Sequence, residues 1–314
     1  MIITITLNPA VDKTVEIIDF EVGTVNRVST TRLDAGGKGI NVSKVVRSLG
    51  GNSRATGILG GTTGSFIKEA MDRLGIENDF LFIEGETRTN LKVVDSKRKT
   101  NTDINEPGPS IASSDIEALK QKIFSRLEAG SVVVFSGSVP ANTDKDIYGK
   151  WISAAKEAGA KTILDADGEL LKHGIEAGPY LVKPNIHELE RFFGIRIEDV
   201  REAERLARSL IEVYGIELVA VSLGERGAIF VNKENSLFAH SIPVEVKSTV
   251  GAGDSMVAAL AYSIDMGYSF EKAVRLAVAS GTANVMTSGT QSAELEIIKG
   301  LENKVTFEYF RTYK

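Results

Sequence analysis

The second half of the chain alternates between amphipathic stretches and short, wholly apolar ones. From about residue 112, apolar positions recur at helical spacing and lead into an apolar run at 131–135. The first amphipathic stretch carries Ile116, Leu119, Ile123 and Leu127. The unit repeats, with a helical pattern before each of the apolar runs KTILD, YLVK and LVAVS. Short strands without a polar face, separated by helices, predict an α/β fold with a doubly wound, mostly parallel sheet flanked by helices.

Two segments, at about 13–32 and 88–103, do not follow this rhythm. Both alternate between apolar and polar residues and lack a helical period, which is typical of antiparallel strands with one exposed face. We expect them to pair into a small antiparallel sheet at one edge of the main domain. The pattern favours a lid over a plain extension of the edge. With no fixed-period repeat and no Pro-rich linker, we expect a single domain over 1–314 with the lid strands inserted.

Composition narrows the function classes. The chain has 314 residues, of which 42% are hydrophobic and 25% charged, so it can bury a substantial core. A net charge of -5 gives no overall attraction to nucleic acid or to an anionic membrane, and an anionic ligand would need a local basic cluster. The absence of cysteine fits a reducing cytoplasm, and no stretch approaches the length of a membrane span. We therefore expect a cytoplasmic protein with neither nucleic acid nor membrane as a partner.

The segment STVGAGDSMVAALAY, at 248–262, carries the sharpest chemical signal. Glycines on either side of Ala252 free the backbone N–H groups, and the apolar helix that follows adds its positive N-terminal dipole, so the turn predicts an anion site. Asp254 follows this turn directly and could accept a proton from an attacking hydroxyl. The alternative is an aspartate that only stabilises the start of the helix.

A second glycine-rich segment, AGGKGINVSKVVRSLGG, lies at 35–51. Gly37 allows close approach to a ligand, and Lys38 and Asn41 suit a polyhydroxylated or anionic one; a turn with a solvated lysine is the alternative. The segment is not a phosphate-binding P-loop, because the first glycine of that motif is missing and no Ser or Thr follows Lys38. The chain also lacks the GxGxxG dinucleotide fingerprint, which disfavours a nicotinamide oxidoreductase.

Further polar groups follow the predicted strands at the edge where parallel sheets bind ligands. In VKPNIHELE, Asn185 and Glu188 could serve a hydrated magnesium ion, or they could simply cap a helix. Asp165 and Asp167 follow another strand and could form a carboxylate pair, although isolated acids in this position usually cap helices. Three basic residues of the expected lid could reach a substrate phosphate, although each alone fits a solvated surface charge: Arg27, Arg88 and Lys92.

Taken in order, these motifs resemble the ribokinase-like (PfkB) carbohydrate kinases, in the bacterial 1-phosphofructokinase and tagatose-6-phosphate kinase branch. The similarity spans nearly the whole chain. It is carried by TLNPAVD, AGGKGINVS, GETRTNLK, EPGP, SGSVP, ILDADGE, VKPNIHELE, VSLGERGA and STVGAGDS. It implies a doubly wound sheet with a β lid, and transfer of the ATP γ-phosphate to a phosphoketohexose with Mg²⁺. It also implies a homodimer through the lid.

The resemblance assigns roles to individual positions. Asp254 would be the base, with an anion hole at Gly251, Ala252 and Gly253. Sugar hydroxyls would be held by Asp12, Gly37, Lys38 and Asn41. The substrate phosphate would lie near Arg88, Asn90 and Ser138. ATP would contact Lys183, Asn185, Ser222, Gly224, Gly227 and Asn284, and Glu188 would bind magnesium through water.

The basic GETRTNLK segment favours a phosphorylated substrate over a free sugar. Within the branch, fructose 1-phosphate is the first candidate, with tagatose 6-phosphate and fructose 6-phosphate as alternatives. A non-catalytic sugar-phosphate sensor of the same fold is disfavoured, because both the aspartate and the glycine turn are intact.

Overall fold

The structure is a computed structural model and describes residues 1–287, 289 and 291–310. Two sheets are formed, a large one covered by helices and a separate one of four strands. The strands are β1 Ile2–Thr6, β2 Ala10–Ile17, β3 Val28–Gly36, β4 Ser53–Gly60, β5 Glu77–Asn78, β6 Leu81–Ile83, β7 Arg88–Asp95, β8 Thr100–Asn105, β9 Val132–Ser136, β10 Lys161–Asp165, β11 Leu181–Val182, β12 Leu218–Ser222, β13 Ala228–Asn232, β14 Ser236–Ala239 and β15 Phe307–Tyr309.

Helices connect most of the strands of the large sheet. They are α1 Lys38–Ser48, α2 Gly61–Arg73, α3 Ser113–Phe124, α4 Ile147–Glu157, α5 Gly168–Glu176, α6 Ile186–Phe193, α7 Val200–Tyr214, α8 Ala252–Asp265, α9 Phe270–Val285 and α10 Leu295–Glu302. None of the helices within the described ranges is long and apolar enough to cross a membrane.

The large sheet is parallel from β12 through β11, β10, β9 and β1 to β4, and β13 to β15 extend it antiparallel at the other edge. Its central strands are buried on both faces, as every residue of Val132–Ser136 shows, so both faces must be covered. One apolar layer includes Trp151 of α4 and Leu210 of α7, and the other includes Leu260 of α8 and Val274 of α9. The predicted doubly wound architecture is confirmed.

The small sheet has the order β3-β2-β7-β8. Its outer pairs are antiparallel, as predicted, whereas the central pair of β2 and β7 is parallel. The long stretch of chain between these two strands allows a parallel crossover, which a short turn would not. β2 and β3 extend beyond the segment 13–32 at both of its ends, because Val11 and Ala35 pack into the apolar cluster beneath, and β8 ends two residues after the segment 88–103.

The small sheet rises from the edge where the parallel strands end. β1 ends at Thr6, and only residues 7–9 separate it from β2. β9, β10 and β12 end at the same edge because they run parallel to β1 or to its neighbours. Side chains that follow these strands therefore lie beneath the small sheet, at the position where open α/β sheets bind ligands.

Candidate active site

Asp254 lies in the first turn of α8 and is 7% exposed. Gly251 precedes this helix in the left-handed region, with a φ of 84°, and among the described residues no side chain caps the helix N-terminus. The N–H groups at the start of α8 therefore remain available to an anion. Asn41, on α1, donates from Nδ2 to Oδ2 of Asp254 at 2.8 Å. The carboxylate and the amide thus come together from two segments more than 200 residues apart.

The surroundings of Asp254 raise its pKa to about 6. Burial is the main cause, and the negative charge of Asp165 adds to it; Lys38, Asn41 and Lys183 act in the opposite direction. At neutral pH such a carboxylate is mostly ionised, and it is a stronger base than an ordinary aspartate. These are the properties required of a general base.

Asp165 connects two lysines beside this turn. Its Oδ1 atom lies 3.2 Å from Nζ of Lys38 and 3.3 Å from Nζ of Lys183. Asp165 is buried, which alone would raise its pKa, but the two ammonium groups hold the pKa below its usual value. Lys183 also borders the turn, because a Cβ at Gly253 would lie 3.3 Å from its Nζ. Two positive charges are thereby fixed next to the predicted anion site.

The interpretation of Asp165 as a helix cap is wrong. Asp167 occupies the N-cap position of α5, whereas Asp165 ends β10 and pairs with the lysines. The sequence could not show this, because Lys38 and Lys183 approach the strand end from distant parts of the chain. The alternation of helices and strands did contain the relevant information, because it predicts a parallel sheet in which the ends of β10 and β11 lie next to each other.

The small sheet contributes a second carboxylate, Asp12. Asn90 lies opposite it on β7 and donates from Nδ2 to Oδ1 of Asp12 at 3.1 Å. Burial raises the pKa of Asp12, while the hydrogen bond from Asn90 lowers it. Gly36 is required here, because a Cβ at that position would lie 2.1 Å from Oδ2 of Asp12. Asn90 therefore orients Asp12, and its own Oδ1 has no hydrogen-bond partner among the described residues.

A cavity of about 210 Å³ separates the small sheet from the α8 turn. Asp12, Asp34, Asn90 and Lys92 line it from the sheet, and Val250 and Gly289 line it from the opposite side. Val250 immediately precedes the glycine turn, so one wall of the cavity adjoins the start of α8. Of the predicted basic residues Lys92 faces this cavity, and its Nζ lies 3.5 Å from Oδ1 of Asp103.

Arg88 and Ser138 meet at Asn8, a residue that the sequence analysis did not identify. Arg88 donates to the carbonyl oxygens of Asn8 at 3.1 Å and of Glu106 at 3.0 Å. Asn8 also donates from Nδ2 to Oγ of Ser138 at 3.3 Å. Nε of Arg88 and Oδ1 of Asn8 are buried and find no hydrogen-bond partner among the residues that the structure describes. The signal for Asn8 was its place directly after the first strand, at the same sheet edge.

Arg27 does not reach the active site of its own chain. It is exposed and precedes Val28, which pairs with Ile17 at the far end of the small sheet. Asp12 lies five residues from Ile17 along β2, a distance of about 17 Å at roughly 3.4 Å per residue. The expectation that Arg27 contacts a phosphate alongside Arg88 is therefore not met within one chain.

Asn185 and Glu188 form a capping box at the start of α6. Glu188 N donates to Oδ1 of Asn185 at 2.9 Å, and Asn185 N donates to Oε2 of Glu188 at 2.8 Å. Burial raises the pKa of Glu188. No cluster of three or more acidic or histidine ligands occurs among the residues the structure describes. The group fits a magnesium ion that keeps most of its waters, and it does not fit a cage made by protein side chains.

The residues predicted to contact the nucleotide follow Lys183 along the chain. Ser222 forms a β-bridge with Asn185, and the following turn closes by a bond from Leu223 N to Gly227 O at 2.9 Å. Gly224 and Gly227 have φ values of 63° and 108°, which favour glycine. A Cβ at Gly227 would lie 2.1 Å from a backbone oxygen of β14.

Asn284 has a different environment from the one expected. It is 3% exposed, and its Oδ1 would lie 3.2 Å from a Cβ at Gly251. Nδ2 of Asn284 donates to the carbonyl of Gln291 at 3.1 Å. This asparagine therefore packs behind the anion-binding turn and supports it.

Comparisons with known proteins agree with this geometry. The profile described as pfkB family carbohydrate kinase matches residues 5–297. A 1-phosphofructokinase of Bacillus subtilis is 39% identical over 308 residues, covering 98% of this chain and 99% of the relative. A 1-phosphofructokinase of Borreliella burgdorferi is 38% identical over 287 residues, covering 91% and 92% respectively.

A solved structure supports the same relationship. Phosphofructokinase-2 of Escherichia coli, in complex with substrates and products, superposes with a TM-score of 0.93 at 29% identity, covering 96% of this chain and 98% of that one. Both the sequence match and the fold extend over nearly the full length. The resemblance inferred from the motifs is confirmed, and the chain belongs to the pfkB family of carbohydrate kinases.

Proposed function

We propose that the protein is a 1-phosphofructokinase, which transfers the γ-phosphoryl group of ATP to fructose 1-phosphate and forms fructose 1,6-bisphosphate. The observation that carries this proposal is the buried carboxylate of Asp254 at the N-terminus of α8, which no described side chain caps and whose preceding turn adjoins, through Val250, the cavity beneath the small sheet. The names of the curated relatives support fructose 1-phosphate as the acceptor.

In this reaction Asp254 accepts the proton of the attacking hydroxyl while the phosphoryl group moves between two oxygens. The transition state is loose, with charge on the transferring oxygens, so most of the catalysis comes from positioning and electrostatics. The N–H groups of 252 and 253 face those oxygens, with Gly251 providing the turn. Lys183 and Lys38 add positive charge that Asp165 holds in place.

The acceptor sugar lies in the cavity below the small sheet. Asp12 accepts hydrogen bonds from its hydroxyls, Asn41 donates hydrogen bonds to them, and Gly37 leaves room for the ring. Its phosphate lies near Arg88 and Ser138, where Nε of Arg88 and Oδ1 of Asn8 are buried and have no hydrogen-bond partner among the described residues.

ATP occupies the other side of the crevice. Lys183, Asn185 and Ser222 face its phosphates, and the turn with Gly224 and Gly227 lies alongside the nucleoside. Mg²⁺, when bound, neutralises the phosphate oxygens, with Glu188 contacting it through water. Asn284, which the resemblance assigns to ATP, lies next to the glycine turn and donates to the carbonyl of Gln291.

The test is release of ADP by the purified protein with fructose 1-phosphate, fructose 6-phosphate, tagatose 6-phosphate and free fructose. We expect the highest kcat/KM with fructose 1-phosphate and the lowest with fructose. A preference for one of the other phosphoketoses would move the protein to a neighbouring activity of the same family. Binding of a phosphoketose without ADP release would contradict catalysis and indicate a sensor.

We also propose that two copies associate through the small sheet. The segment joining β2 to β3 carries three apolar side chains that are largely exposed, namely Ile18, Val22 and Val25 at 68%, 91% and 82%. Leu33 and Ile104 on the same sheet are about half exposed. A second copy of this chain would remove these side chains from water.

A further inference from the structure

Lys44 has no part in the reaction as proposed above, although it lies next to the site. It is on α1, three residues after Asn41, so the two side chains share a face of the helix. Its ammonium group donates to the carbonyl of Ala35, at the end of β3, and lies 3.5 Å from Oδ1 of Asn41. Lys44 therefore connects the small sheet to the amide that contacts Asp254.

Three carboxylates act on this ammonium group from three different elements. They are Asp34 of β3, Asp12 of β2 and Asp254 of α8. Asp12 and Asp34 are also directly opposite each other in the β2–β3 register. Lys44 thus adds a positive charge next to the carboxylates around the sugar cavity, beside those of Lys92 and of Arg32, whose Nε lies 2.7 Å from Oδ2 of Asp34.

The contact with Asn41 has a geometric consequence. A carboxamide has a donating end and an accepting end, and only its NH₂ group can donate to Asp254. With Lys44 as donor at Oδ1, the NH₂ group must face Oδ2 of Asp254, where it is found at 2.8 Å. If the carboxamide were flipped, its NH₂ group would face the ammonium group of Lys44, and its oxygen would face the carboxylate of Asp254.

We infer that Lys44 is a positioning residue of the phosphoryl-transfer site: it fixes the orientation of Asn41 against Asp254 and balances the negative charge around the sugar. This inference rests on the proposed function, because it assigns Asp254 the part of base. Lys44 itself touches neither the transferred group nor the acceptor hydroxyl in this assignment.

The effect on the base follows from its neighbours. Asp254 faces Asp165 from β10, Lys38 and Lys44 from α1, and Lys183 from the end of β11. Removing the charge of Lys44 leaves the repulsion from Asp165 less opposed and allows Asn41 to turn. Both changes raise the pKa of Asp254, so less of the base is ionised at a given pH.

The test compares Lys44→Met with Lys44→Arg. In the Met variant we expect kcat to fall by roughly 10- to 100-fold, the cost of a misplaced catalytic group. The acid limb of kcat/KM should move to higher pH, while KM for ATP stays unchanged. In the Arg variant the charge remains, and the acid limb should return toward its original position. Arg47→Met, on the exposed side of the same helix, is the matched control and should leave the profile as it was.

Titration of the Asp254 carboxyl, followed by carbon-13 NMR and assigned from the signal missing in Asp254→Asn, separates this inference from the proposed function. An upward-shifted midpoint in Lys44→Met supports it even if no phosphoketose is turned over. An unchanged midpoint with an unchanged pH profile overturns it while leaving the kinase assignment intact. If the Met variant does not fold, Lys44→Gln, which keeps a donor for the Ala35 carbonyl, is measured in the same way.

A double-mutant cycle with Asn41→Ala tests whether Lys44 acts through the Asn41 amide. If Lys44 acts through the amide, its removal should cost clearly less kcat once Asn41 is gone. Independent, additive losses would contradict action through Asn41.

Discussion

Opposing influences on a few side chains determine the chemistry of this site. Burial and Asp165 act against ionisation of Asp254, whereas Lys38, Asn41 and Lys183 favour it. A carboxylate with a pKa shifted toward neutrality by a defined set of neighbours is typical of a group that exchanges a proton in its function. Asp165 also holds the ammonium groups of Lys38 and Lys183 near the start of α8, so in the proposed function a single cluster serves both proton transfer and phosphate binding.

Asp254→Asn should remove proton acceptance while preserving shape. We expect kcat to fall by about 10²- to 10⁴-fold, the usual contribution of general base catalysis. The affinity for ATP, measured by calorimetry, should stay nearly the same, since the N–H groups and lysines remain. Turnover at the wild-type rate would show that another group takes the proton.

The same substitution should stabilise the fold. The folded-state pKa of Asp254 is about 6, above its ordinary value of 3.8, so protonation favours the folded state and Asp254 costs stability as the pH rises through 6. At pH 7 Asp254→Asn should therefore raise the free energy of unfolding by on the order of 1–3 kcal/mol. The gain should shrink toward pH 5, as measured by denaturant unfolding. An equal gain at both values would point to a cause other than titration.

Arg88→Ala should raise KM for the phosphosugar by losing a charge-assisted contact of roughly 1.5–3 kcal/mol. KM for ATP should not change. Arg88→Lys should recover only part of the loss, because an ammonium cannot reach the Asn8 and Glu106 carbonyls together as the guanidinium does. Arg73→Ala, on the exposed side of α2, is a control. An unchanged KM for the phosphosugar in Arg88→Ala would argue for a different phosphate position.

At the scale of elements, local patterns predicted the helices, the buried strands and the turn before α8, because each of these depends on neighbours in sequence. The parallel pairing of β2 with β7 depends on where a long crossover returns, and no local pattern reports that. For the same reason Asn8 and Lys44 were missed, and Asp165 was interpreted as a helix cap. Each looks ordinary in its own segment and gains its role from partners far along the chain.

The start of α6 combines two roles that one substitution can separate. Glu188→Gln keeps a side chain able to complete the capping box, since glutamine also serves at this position. We expect unfolding stability to change little, while more Mg²⁺ is needed for half-maximal activity. Asn185→Ala removes the cap itself and should cost about 0.5–2 kcal/mol of stability. If Glu188→Gln leaves the Mg²⁺ dependence unaltered, the carboxylate acts only as a cap.

At the scale of the whole molecule, the proposed function brings the two substrates together from opposite sides of the α8 turn. The small sheet, made from residues 10–36 and 88–105, supplies the sugar side, and the segments from Lys183 to Gly227 supply the nucleotide side. Beyond its base, the sheet has only a small apolar cluster of its own among the described residues, with Val15, Ile17 and Val93 at its centre. A sheet of this size gains stability when another surface covers it.

That covering surface is proposed to be a second copy, and charges placed on the exposed segment test it. The double substitution Val22→Asp and Val25→Asp would bury two carboxylates in the interface, which is unfavourable unless they are paired. We expect sedimentation velocity to show a dimer for the wild type and a shift toward monomer for this variant. Val213→Asp, at a residue 70% exposed on α7, is the matched control and should leave the dimer intact. A wild-type protein that sediments as a monomer, or a dimer unaffected by the lid charges, would exclude association through the small sheet.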